Sequence, residues 1–239
     1  RPDSISSLDA RYNVINWVHR STRGWSTGGS VTDPRTGEII KGVVTLGSLR
    51  VRQDYMMAEG LLSPYASGDE TPPELAVWAL ARIRQLAAHE VGHTIGLGHN
   101  YYNSSAGRIS VLDYPHPLVT LNRDGSLDHS QVYDVGIGEW DKVAVTYGYQ
   151  DFPAGTDEEA ELQRILQDAW DDDIRYMTGQ DVGTTPQADQ WANGTDMGSE
   201  LDRMMDVRAA ALSRFGETAI KNGTPMAKVE EVLVPLYMY

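Results

Sequence analysis

Cysteine is absent from the 239 residues, so neither a disulfide framework nor a thiolate metal site is available. Any metal has to be held by His, Asp or Glu. No run of about 18 apolar residues occurs, so no segment is expected to span a membrane. Basic residues are scarce: 20 Lys and Arg against 34 Asp and Glu leave a formal net charge of −14. That is the wrong sign for a nucleic-acid footprint. No signal peptide is recognisable, and the chain opens on Arg1-Pro2-Asp3 without a methionine. We read it as a processed or excised piece of a longer precursor. Internal repeats and low-complexity segments are missing too. What is present, 41% hydrophobic and 23% charged residues, describes a globular chain able to bury a real core.

Residues 11–18 (RYNVINWV) are rich in β-branched and aromatic side chains and predict a strand. Residues 26–51 form a turn-punctuated β region, with Asp33-Pro34 and Gly37 marking a turn and one or two strands between Ile39 and Val51. A short helix is expected at 52–62 and a Ser/Pro/Gly loop after it. A long helix from Pro73 to Ile95 follows, opened by a Thr71 hydroxyl cap, early prolines and Glu74. Its apolar residues cover more than one face, so it should be mostly buried. Residues 103–117 look irregular, and 118–132 resemble a hairpin around Asp124-Gly125. The segment 122–128 has calcium-loop character but lacks the glutamate and spacing of an EF-hand. Helices are expected near 137–147, 157–170, 199–221 and 225–237. Strands before residue 52 and helices after it give an α+β class.

The informative stretch is AAHEVGHTIGLGHN, residues 87–100. His89 and His93, four apart on a helix, project from one face and can share a metal ion. Glu90 lies beside them as a base for a metal-bound water. The full pattern, His89-Glu90-x-x-His93-x-x-Gly96-x-x-His99, would arise by chance on the order of once per 10⁵ chains. That rarity decides against three ordinary histidines. On a continuous helix position 99 would lie about 9 Å beyond His93. The chain must therefore turn at Gly96, with positive φ, to bring His99 back. Three neutral imidazoles leave a tetrahedral ion one open position, a catalytic zinc arrangement with one zinc per chain.

This pattern resembles that of the metzincin clan of zinc peptidases. Ser110-Val111-Leu112-Asp113-Tyr114 is similar to the clan's methionine turn in its S-x-M-x-Y form, seen in astacins and serralysins. Leu112 stands where methionine is usual, and leucine is close to it in volume. The segments 17–26, 48–55, 89–100, 110–115, 139–149 and 215–239 also resemble those of long bacterial metzincin-like proteins predicted to be exported. The resemblance implies a twisted mixed sheet with a long active-site helix above it. It also implies an upper subdomain, residues 1–99, and a mainly helical lower one, residues 100–239, with action outside the cytoplasm. Asn100 follows the third histidine where astacins have Glu and adamalysins Asp, so that position names no subfamily. The clan's core normally begins with a strand and a long helix before the next strand, whereas here a strand is expected by residue 12; either the domain is reduced or that piece lies upstream.

The implied chemistry is peptide-bond hydrolysis by a zinc-activated water, with Glu90 as general base. Tyr114 either donates to the oxyanion or ligates zinc, or it simply anchors the turn. A peptide or protein substrate would lie extended in the cleft. The strand at 42–51 is either an exposed edge that pairs with it or an interior strand. His19, His116 and His129 are expected to be surface or hydrogen-bonded residues. Two rival readings stand beside this one. Glu139 replaces His99 as third ligand, as in gluzincins, or a retired peptidase domain serves as a binding module, a reading that rests on Leu112.

Overall fold

The computed structural model describes residues 5–20, 24–114, 116–191 and 193–239. Residues 21–23 of the segment 17–26, and Pro115 after the turn at 110–114, lie outside the described residues, as do the opening four. Three strands form the first sheet: β1 (Val14–Val18), β2 (Thr27–Thr32) and β3 (Ile39–Gly47). β3 is central, parallel to β1 and antiparallel to β2. Alternation explains the placement: Val44 and Leu46 point inward against Leu86 of the long helix, forming a small apolar layer. The β2–β3 turn is tied by the Gly37 amide to the Asp33 carbonyl at 2.9 Å, with Gly37 at φ +79°.

Helix α1 (Ser48–Leu62) starts directly after β3. The expected strand at 48–51 is therefore helical. Arg50 and Asp54 sit i,i+4 as an ion pair at 3.1 Å, a pairing only a helix provides. Helix α2 (Pro73–Thr94) matches its expected span, but Thr71 does not cap it. Its N-cap is Pro72, and the Thr71 hydroxyl is spent on Tyr65. Leu75 and Trp78 of α2 join Ala58 and Leu61 of α1 in the main core. Val207 and Ala211 of α5 (Met197–Leu212) and Leu236 of α6 (Ala227–Tyr237) complete it.

Between these helices lie the β4–β5 hairpin (Thr120–Leu121, Leu127–Asp128), α3 (Glu139–Tyr149) and α4 (Glu158–Asp171). At the hairpin turn Asp124 accepts from the Ser126 amide and hydroxyl, so this is a turn as expected. α5 is shorter than the helix expected at 199–221. Phe215 folds back onto the core, Gly216 is extended, and only a 3₁₀ turn at Glu217–Ala219 follows. The whole is α+β, with the sheet and α2 as its first layer and helices beyond. Among the described residues no helix is long and apolar enough to cross a membrane.

Candidate metal centre

α2 carries His89, Glu90 and His93 on its last two turns. At Gly96, φ +90°, the chain reverses, and the Leu97 amide reaches back to the Gly92 carbonyl at 3.1 Å. This is the turn that the Gly96 position predicted, and it brings His99 to the other two. The three Nε2 atoms lie 3.2 Å (89–93), 3.1 Å (93–99) and 3.3 Å (89–99) apart. A tetrahedral ion with bonds of about 2.0–2.1 Å needs nitrogens about 3.3–3.4 Å apart, so the set fits zinc. Among the described residues this is the group of His, Cys, Asp and Glu side chains arranged to hold a metal.

The lone pairs point inward because the opposite ring nitrogens are occupied. His89 Nδ1 is 2.8 Å from the Val111 carbonyl, and His93 Nδ1 is 2.8 Å from that of Leu97. An N–H at each Nδ1 leaves Nε2 as the acceptor face. Burial holds the His89 imidazole well down, at about pKa 4, and lowers that of His99. Both are thus neutral at pH 7, the form that ligates. Glu90 is 5% exposed. Burial raises its carboxyl to about 7 against the opposing pull of Arg82 and the Gly28 amide.

Gly28 is where β2 meets α2. A Cβ there would sit 1.9 Å from the Glu90 carbonyl oxygen, so no other residue permits this approach. β2, and not the strand at 42–51, is thus the edge beside the cleft; β3 is interior. The cleft, about 710 Å³, runs between β2 and the imidazoles.

Beneath the histidines the 110–114 turn is in place. Leu112 is fully buried and would meet a Cβ on Gly92 at 2.9 Å, so it packs against α2 at the residue preceding His93. Asp141 of α3 clamps the turn, accepting from Ser110 Oγ (2.8 Å), the Val111 amide (2.7 Å) and the Gly138 amide (2.6 Å). Asp113 accepts from the Tyr114 and Trp191 amides. Trp191, with left-handed backbone at φ 69°, stands half-exposed at the cleft mouth. The Tyr114 ring lies 4.7 Å from that of His99 and lines the cleft.

Residues 71–239 match the family model described as Met-zincin. The chain belongs to the Met-zincin family. No curated protein and no solved structure matches it. Membership makes the chain a zinc-metallopeptidase-like domain, with α2 at the start of the matched region.

Among the described residues, Glu139 and the other three histidines stay apart from the Met-zincin triad. Glu139 is solvent-exposed and pairs with Lys142. His116 stacks near Tyr239 at 4.7 Å, His129 near Trp78 at 5.8 Å and His19 near Trp17 at 6.2 Å. Sequence reasoning did not find four supporting residues. Tyr101 is buried, stacks on His99 at 5.5 Å and hydrogen-bonds Tyr114. Gln85 donates to the same Val111 carbonyl that holds His89, at 3.1 Å. Asn100 takes the Met177 amide at 3.0 Å, and Asp141 clamps the turn as described. For Gln85 a signal was there: it lies four residues before His89, on the same helix face.

Proposed function

We propose that the chain is a zinc-dependent endopeptidase, holding one zinc ion through His89, His93 and His99 and cutting peptides that lie extended along β2. The observation that carries this reading is the convergence of three Nε2 atoms within 3.3 Å beside a buried Glu90. A bound zinc ion there supplies a Lewis acid and lowers the pKa of a water to about 7. Glu90 accepts the proton of the attacking water on its carboxylate and passes it to the leaving nitrogen. Its burial keeps bulk water from competing for that proton. The Tyr114 hydroxyl, steadied by Tyr101, donates toward the oxyanion. The main chain of β2 offers edge amides and carbonyls to the substrate backbone, which fixes the peptide without reading its sequence. By its resemblance to exported bacterial proteins, the domain acts outside the cytoplasm.

The test pairs metal content by mass spectrometry with cleavage of an unfolded protein, with and without chelator. We expect one zinc per chain and cleavage that a chelator abolishes and zinc restores. Glu90→Gln is isosteric, so it should keep zinc and fold while losing about 10²–10⁴ of the rate. A variant as fast as the parent removes Glu90 from the reaction. Zinc-loaded protein that binds peptides but never cuts them would make the domain a binding module.

A further inference from the structure

The cleft wall beyond the histidines has a charge opposite to that of the molecule. The chain is strongly acidic, yet among the described residues lining the cleft the single carboxylate is Glu90. Two arginines line it as well, Arg50 from α1 and Arg82 from α2. Arg82 is 7% exposed, and its Nε is buried without a hydrogen-bond partner, while its Nη1 donates to Gln85 and its guanidinium lies 5.5 Å from the Tyr133 ring centre. Arg50 Nη1 donates to Gln53 Oε1 at 3.4 Å, and its Nε lies 3.1 Å from Asp54 Oδ2, but Nε and Oδ2 lack a properly angled hydrogen bond. Tyr133 occupies the other Asp54 oxygen, so Asp54 cannot serve Arg82 fully. Each guanidinium has five donors, and in both the Nε is left without a hydrogen bond at the wall of a cavity. A bidentate carboxylate is the group that fits them.

Resting on the peptidase reading, we propose that Arg50 and Arg82 form a subsite for the side-chain carboxylate of a substrate Asp or Glu within two residues of the scissile bond. The placement follows from α2. Arg82 precedes His89 by seven residues, about 10.5 Å along the axis, and its side chain leans toward the cleft. An extended peptide advances about 3.3 Å per residue, so acid and arginine side chains together cover the rest. Leu49 and Leu86 flank the arginines as apolar walls that strengthen the pairing by excluding water.

The experiment uses zinc-loaded protein and a peptide library amidated at its C-termini, with cut sites read by mass spectrometry. Asp or Glu should be enriched at one fixed position within two residues of the cut. Replacing that Glu by Gln should lower kcat/KM about tenfold or more, chiefly through KM. In Arg50→Gln the Glu-to-Gln preference should collapse toward one. Because it is a ratio within one preparation, partial unfolding cannot mimic it. Anisotropy with the Glu90→Gln protein measures binding of the same peptides without turnover. Cleavage with no acid preference overturns the subsite and leaves the peptidase. Acid-selective binding without cleavage by the parent does the reverse. Preference seen only with free C-termini, or unchanged in Arg50→Gln, also overturns the assignment.

Discussion

Leu112 stands where the clan has methionine, and its whole side chain is buried against α2 at Gly92. Its neighbours include Ile109, Val111, Trp140 and Leu97, all apolar. The position therefore asks for volume, and sulfur has no partner there to serve. Leu112→Met should change stability by less than about 1.5 kcal/mol and leave zinc affinity and turnover close to the parent's. Leu112→Asp would bury an unpaired charge and should cost about 3 kcal/mol or more, with loss of zinc. Parallel zinc titrations, melts and peptide assays would show both. A large gain in activity with Met would mean that leucine has weakened the site.

At the level of elements, the turn after α2 matters most. Gly96 sits at φ +90°, where an L side chain is strained whatever space surrounds it. Gly96→Ala should cost about 1–3 kcal/mol, and the cost should fall on the loop that carries His99. We expect weaker zinc binding with the helical signal of α2 intact, measurable by competition with a chromophoric chelator and circular dichroism. Unaltered affinity would show that His99 reaches the ion by another path. This turn was legible in the sequence because ligand spacing and helix geometry leave no alternative within eleven residues. The β3–α1 junction was not. Ile39 to Val51 has strand-like composition throughout, and only the Arg50–Asp54 pair, four residues apart, marks the change. Which strand forms the cleft edge was equally hidden, because pairing order depends on contacts between distant residues and not on local pattern. The supporting roles of Tyr101, Asn100 and Asp141 arise the same way, from approaches the chain makes only once folded.

For the whole molecule, acid is the revealing stress. Burial lowers the His116 imidazole to about 4, with the Arg203 and Arg108 charges assisting and Glu200 opposing. His89 is lowered to about 4 as well. An unfolded chain protonates both near 6.5, while the folded chain holds them neutral down to about 4. Stability is therefore full above pH 6.5 and lost as pH falls from 6.5 toward 4. Glu90, raised to about 7, works oppositely: its share is present below 4.5 and lost as pH rises to 7. His116 stands apart from the ligands, so it isolates the first effect. Urea melts of chelator-treated protein at pH 7.5 and 5 should show a smaller acid loss in His116→Gln than in the parent. Equal losses would assign the acid sensitivity elsewhere.

The two helical imidazoles are aimed by carbonyl oxygens, of Val111 and of Leu97, and a carbonyl is something every residue type possesses. Substitution at 111 or 97 leaves the acceptor where it was; a change in chain length does not. The site should thus tolerate drift in the identity of those residues and be intolerant of insertions and deletions. One glycine inserted between Leu97 and Gly98 displaces His99 relative to the oxygen that orients His93, and should abolish zinc uptake. Val111→Ile and Leu97→Met should retain it. Zinc stoichiometry across the three variants would check this, and uptake by the insertion variant would show that side chains, not the path of the main chain, set the site.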